Sequence, residues 1–193
     1  MLINLIKTNN MKMKMMTLAA VFCCAMGLTM FTACGSDDDD DKVQVDSNTP
    51  VAAVMEYGFE VSDDMLTVLD MTVEYYDNDG KLQKENLTQK KWVKTVKAKL
   101  PVSLGACLKA QLKDGVDVNT IEAIKVSRGY KCTAYSMTAT SNIAGNVESS
   151  SNNATLTVNG EKLTSLLSDK NGILISYLYD FADNGKVVAG SWK

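Results

Sequence analysis

The sequence predicts an all-β domain over residues 51–193: an antiparallel β-sandwich of immunoglobulin-like type with one short helix. Three observations carry this expectation. Apolar residues recur with period two in several separate runs, the pattern of half-buried strands. Asn, Asp and Gly punctuate those runs at fairly regular spacing, which makes about eight or nine short strands. Only one stretch, after Asn159, carries helical spacing. A β-barrel is the alternative closure of the same strands. At 193 residues the chain has room for one such domain and an N-terminal extension.

That extension begins with an export signal over residues 1–33. Lys7, Lys12 and Lys14 form a positive start, with Met11 a second candidate for the first residue. Met15 to Ala33 is apolar or small and uncharged. A run of this length also suits a membrane-spanning anchor. It ends, however, in small Thr32 and Ala33, then Cys34 and an abrupt polar switch, the ending of a cleaved signal. Phe31-Thr32-Ala33-Cys34 resembles a bacterial lipobox, with phenylalanine where leucine is usual. Ser36 and the five aspartates Asp37, Asp38, Asp39, Asp40 and Asp41 resemble the acidic run after the cysteine in surface lipoproteins of Bacteroides and its relatives. The resemblance covers roughly residues 11–42. It implies cleavage before Cys34, lipid on its thiol, and display on the outer face of the outer membrane. The membrane is then a partner through Cys34, whose several acyl chains hold a bilayer where one would not. Residues 34–50 become an acylated cysteine and an acidic tether. Adjacent aspartates repel one another and stay hydrated, so they make a spacer rather than part of a core.

Charge separates this tether from the domain. Residues 35–49 hold Asp37 to Asp41 and Asp46 against Lys42, whereas residues 50–193 hold 17 acids against 16 bases. Arg128 is the only arginine, a poor supply of bidentate phosphate contacts, and no concentrated basic surface is evident. No nucleic-acid partner is expected. The chain has no histidine, which removes Ser-His-Asp and Cys-His nucleophile systems and every His-containing zinc site. Carboxylate or lysine chemistry is all that is left to an enzyme, and none is expected, nor any cofactor.

Within the domain, Met55, Tyr57, Phe59 and Val61 alternate with Glu56, Gly58 and Glu60 as a first strand. Ser62-Asp63-Asp64 reads as a polar turn. Leu69, Met71, Val73 and Tyr75 share the inward phase of a second strand, closed by the turn Asp77-Asn78-Asp79-Gly80. That turn lacks the bidentate Glu and first aspartate of a calcium loop, so no metal is assigned to it. Lys81 to Gln89 suits a short edge strand. Trp92, Val96, Ala98 and Leu100 share a phase. Nearby Lys90, Lys91, Lys94, Lys97 and Lys99 form a row that either meets acidic ligands or keeps a sheet edge soluble. Val102, Leu104, Leu108, Ala110 and Leu112 continue inward, with a bulge expected at Gly105. Asn119 and Thr120 either cap a helical turn over 121–124 or open a strand. Tyr130 to Thr138 is extended. Ser/Asn-rich 141–153 reads as a long loop, and Thr155 to Val158 as a short strand. Asn159 caps the helix, whose stripe is Leu163, Leu166 and Leu167, and Asn171-Gly172 ends it. Ile173, Ile175, Tyr177, Tyr179 and Phe181 form the clearest strand. A turn at Asp183-Asn184-Gly185 leads to a last strand, Lys186 to Trp192.

Cys23 and Cys24 leave with the signal, so Cys107 and Cys132 remain beside Cys34. They either bridge, closing a loop of about 25 residues, or stay two buried thiols. The carboxylate pairs Asp63/Asp64 and Asp77/Asp79 sit in turns, not across a cleft as glycosidases require. Tyr76 and Tyr135 fall off the inward phase, as sugar-stacking platforms or as cross-strand pairs. The function this suggests is a surface binding or adhesion module for a glycan or protein. The alternative is a structural accessory subunit of an envelope assembly, a fimbria or a nutrient-uptake complex.

Overall fold

The computed structural model describes residues 47–169 and 171–192. The chain runs β1 (Pro50–Val61), α1 (Asp63–Val68), β2 (Leu69–Tyr76), β3 (Leu82–Asn86), β4 (Lys91–Lys99) and β5 (Val102–Leu112). A 3-10 turn (Val118–Thr120) follows, then β6 (Ile124–Thr138), β7 (Ile143–Val158), α2 (Gly160–Ser168), β8 (Ile173–Phe181) and β9 (Val187–Ala189). Two antiparallel sheets result, of order β4-β1-β6-β7 and β3-β2-β5-β8-β9. Neither closes on itself, so the all-β sandwich is the architecture and the barrel is not. The signal segment 1–33, Cys34, Ser36 and Asp37 to Asp41 lie outside the described residues.

The core sits where the inward phases meet. Met55, Tyr57 and Phe59 of β1 and Val96 of β4 face Val73 of β2 and Leu104 and Leu108 of β5, all fully or nearly fully buried. Burying each such side chain stabilises the fold by roughly 1.5–3 kcal/mol.

Four local expectations are corrected. Ser62-Asp63-Asp64 is not a plain turn but the capped start of α1, giving a second helix. Ser62 Oγ accepts from Met65 N–H (3.4 Å), and Asp63 and Asp64 lie at the favourable end of the helix dipole. Residues 141–153 are not a loop, because β7 runs through them in register with β6. Its Ser and Asn side chains are tolerated because β7 is an edge strand, mostly exposed on both faces. Gly105 is not a bulge. It pairs directly with Leu178, and a Cβ there would lie 2.3 Å from Tyr177 O. The irregularity falls instead between Leu108 and Lys109. Finally, the last strand stops at Ala189, and Trp192 packs on Tyr76 on the outside of the second sheet (5.5 Å between rings).

Helix α2 is held down at its first turn. Asn159 Oδ1 accepts from Lys162 N–H (3.0 Å), and Gly160 N–H donates to Ile121 O (3.0 Å). The approach to the 3-10 turn is so close that a Cβ on Gly160 would lie 1.8 Å from Val118 O. Gly160→Ala is therefore expected to cost about 1–3 kcal/mol through overpacking, read as a lowered urea midpoint. An unchanged midpoint would refute this docking.

Candidate functional site

A cleft of about 560 Å³ lies between α2 and the outer face of the second sheet. Strand alternation builds its floor: the residues of β2 and β5 that point away from the core point into it. Asp70, Thr72 and Glu74 come from β2, Lys109 and Gln111 from β5, and Lys84 from β3. Thr164, Leu167 and Ser168 of α2, with Asn171 and Gly172 just after it, form the wall.

Glu74 is the one buried charged residue among those described, at 5% exposure. It faces Lys84 directly across the β2–β3 ladder and lies diagonal to Lys109 on β5. Lys84 Nζ and Lys109 Nζ each approach a different carboxylate oxygen at 2.7 Å. Burial alone would push the Glu74 carboxyl up. Hydrogen bonds and charge from Lys109 and Lys84 outweigh it and hold the group below the usual carboxylate range. Around this saturated triad, the side chains of Asp70, Thr72, Gln111 and Asn171 have no partner among the described residues. The helix hydroxyls are committed: Thr164 donates to Gly160 O and Ser168 to Thr164 O, both at 2.9 Å.

A second polar cluster closes one side of the sandwich. Glu85 on β3 accepts from Tyr75 OH (2.6 Å), from Trp92 Nε1 (2.8 Å) and from Lys94 Nζ. Lys94 thus shares the phase of Trp92 and Val96 and does not belong to an outward lysine row, although Lys91, Lys97 and Lys99 are exposed as expected. Hydrogen bonds from Lys94, Tyr75 and Trp92 pull the Glu85 carboxyl down to about 2.

The other candidates are structural. Asp64 accepts from Lys125 N–H (2.7 Å) and Asp63 pairs with Lys90 (2.7 Å). Asp77 Oδ1 accepts from the N–H groups of Asp79 and Lys81, both at 2.9 Å, which holds the β2–β3 turn. Tyr76 is covered by Trp192, and Tyr135 lies in the ladder between Val54 and Val147. Cys107 and Cys132 are not bridged but are two buried free thiols. Cys132 points into the core, 3.9 Å from Tyr179 OH, whereas Cys107 lies in the opposite phase beside Glu74 and Ser176. Among the described residues there is no group of three or more potential metal ligands, and no helix long and apolar enough to cross a membrane. Glu74, Lys84 and Lys109 escape sequence reasoning because three strands bring them together. The only local signal is that each stands in an outward phase.

The Glu85 cluster sets an acid limit on stability. A carboxyl held lower in the folded than in the unfolded chain stabilises the fold above its usual 4.5, and the gain disappears as pH falls toward about 2. Glu85→Gln should flatten the melting temperature over that window. At pH 7 it should cost about 1 kcal/mol, limited by solvent screening. Parallel acid limbs for both proteins would exclude this role.

No protein-family model, curated protein or solved structure matches the chain, so function rests on the chemistry of the site itself.

Proposed function

We propose that the protein is a surface-displayed lipoprotein, anchored through Cys34 and set off from the membrane by Ser36 and Asp37 to Asp41, whose sandwich binds a glycan in the cleft beneath α2. One observation carries the choice of ligand. The charges on the cleft floor balance, the Lys84–Glu74–Lys109 triad leaving a net +1 that the carboxylate of Asp70 offsets, while Asp70, Thr72, Gln111 and Asn171 have hydrogen-bonding groups without a partner among the described residues. A hydroxyl-rich, uncharged ligand pairs with such groups without having to break an ion pair. Hydrolysis is disfavoured. Glu74 and Glu85 are both held ionised at neutral pH and both bonded to lysine, the wrong state for a general acid.

The ligand reading is tested on a glycan array, followed by calorimetry on any hit. Gln111→Ala with Asn171→Gly, glycine being at ease in the left-handed conformation of that position (φ 51°), should weaken binding about tenfold, the loss of two hydrogen bonds of roughly 0.5–1.5 kcal/mol each. Both residues are exposed, so the melting temperature should not move. Binding that survives the double variant overturns this site. The anchor is tested separately: Cys34→Ser should release the protein from membranes and abolish fatty-acid labelling. Unchanged fractionation and labelling would refute it.

A further inference from the structure

Strand β9 is shorter than the strand it pairs with. Val187–Ala189 covers only Tyr179–Phe181 of β8. Gly190 N–H then donates to Leu178 O (2.9 Å), and Trp192 packs on Tyr76. Ile173–Tyr177 therefore has no strand on its far side among the described residues. Burial follows pairing. Tyr179 and Phe181 are buried, whereas Ile175 and Tyr177, in the same inward phase, are only half-buried, and Ile173 lies beyond the register shift, opposite Lys109. Opposite this edge, Leu156 of β7 lies in the inward phase yet stays 41% exposed, because no strand lies under it.

Between them runs a groove of about 310 Å³, bounded by Arg128 and Tyr130 of β6, Asn152 and Ala154 of β7, and the open edge of β8. Arg128 is half-buried, and its guanidinium has no ion pair or hydrogen bond with the described residues. A guanidinium in that position calls for a carboxylate. Other stretches of edge are secured. Glu85 ties β3 to β4, exposed lysines line β4, and Asn146 bonds Val187 N–H and O at the near end of β7 (both 3.2 Å). Natural sheets guard their edges by such means, and an unguarded edge takes up an added strand.

We propose that this groove takes an extended strand from a second copy of the chain, and that the strand is Asp41-Lys42-Val43-Gln44-Val45-Asp46. Val43 and Val45 are two apart, so both turn toward the half-buried Ile175 and Tyr177 when the segment pairs with β8. Asp41, on the same face as the two valines, supplies the carboxylate for Arg128. The same copy cannot deliver this segment. Ser47 O accepts from Thr140 Oγ1 (3.5 Å), and Pro50 pairs with Thr138. From Thr138 down to Tyr130 and Arg128 is about 27–34 Å along β6, at about 3.4 Å per residue. Val43, four residues before Ser47, reaches at most about 14 Å. The contact is therefore intermolecular, and repeated from copy to copy it links sandwiches through their tethers.

The experiment mixes full-length chain in detergent carrying benzoylphenylalanine at the exposed Ser176 with full-length ¹⁵N-labelled chain. Photo-crosslinked peptides are then sequenced. The expected adduct joins position 176 to residues 41–46 of the labelled copy. Val43→Ser with Val45→Ser should weaken association at least tenfold in sedimentation without changing the melting temperature. Arg128→Ala should weaken association as well. An adduct within one copy, an adduct elsewhere on the partner, a monomer at every concentration, or association untouched by the double valine variant would each overturn the proposal. None of these outcomes depends on whether the α2 cleft binds a glycan.

Discussion

The constraint on which the structure depends is an interleaved row of aromatic rings between the two sheets. The first sheet contributes Tyr57, Phe59, Trp92 and Tyr130, and the second contributes Tyr75 and Tyr177. Tyr57 lies 6.3 Å from Trp92, Tyr75 and Tyr177. Phe59 lies 5.9 Å from Trp92 and 5.5 Å from Tyr177, and Tyr130 lies 5.6 Å from Tyr177. Aromatic pairs of this kind add about 0.5–1.5 kcal/mol each beyond area burial. Their polar tips are the more exacting part, because a buried tip without a partner costs about 1–3 kcal/mol. Tyr57 OH donates to Tyr76 O (3.2 Å), Gly58 N–H donates to Tyr177 OH (3.4 Å), and Tyr75 and Trp92 both end on Glu85. Sliding one sheet over the other would break the Tyr57, Tyr177 and Trp92 bonds together, since each crosses between the sheets, so the row sets both the spacing and the alignment of the layers.

That alignment decides where polar chemistry sits. Because Tyr75 points inward, its neighbours Glu74 and Tyr76 point outward onto the face that α2 and the C-terminal segment partly cover. Tyr76 takes Trp192 as its cover, while Glu74 takes two lysines. An ionised carboxylate at such low exposure is tolerable only because both its oxygens are paired. The cleft is the space left where α2 stands off this charged floor.

Period-two alternation made β1, β2, β4 and β8 legible, because each buries one face and exposes the other. Asn159, Leu163 and Asn171-Gly172 likewise marked the start, stripe and stop of α2. What was missed follows from the same physics. Strand β7 is an edge strand with little beneath its inner face, so residues 143–153 carry no apolar alternation, and only main-chain pairing with β6 makes them a strand. Helix α1 is six residues long, too short to display a 3.6-residue period. Lys94 was grouped with surface lysines because its partners, Glu85 and Tyr75, lie on other strands. The cleft was invisible for that reason too: Glu74, Lys84, Lys109 and Asn171 come from three strands and a loop after a helix, and no local pattern joins them.

The cleft and the groove arise by opposite means, and this separates what each one reads. At the cleft the sheet is complete and a helix is laid over its outer face, so the lining is made of side chains, and recognition depends on where individual amide, hydroxyl and carboxylate groups stand. At the groove the sheet itself is incomplete. Strand β9 ends after three residues while β7 continues past it, so the exposed element on β8 is main chain. A main-chain edge accepts any extended segment, and selectivity comes from the half-buried Ile175 and Tyr177 and from the charge of Arg128, whose guanidinium has no partner among the described residues. A rigid polyhydroxylated ligand has no amide ladder to offer that edge, and an extended peptide places few hydroxyls on the cleft floor. On the two readings proposed, ligand recognition falls to one face of the second sheet and strand recognition to its edge, and the aromatic row holds both surfaces in place.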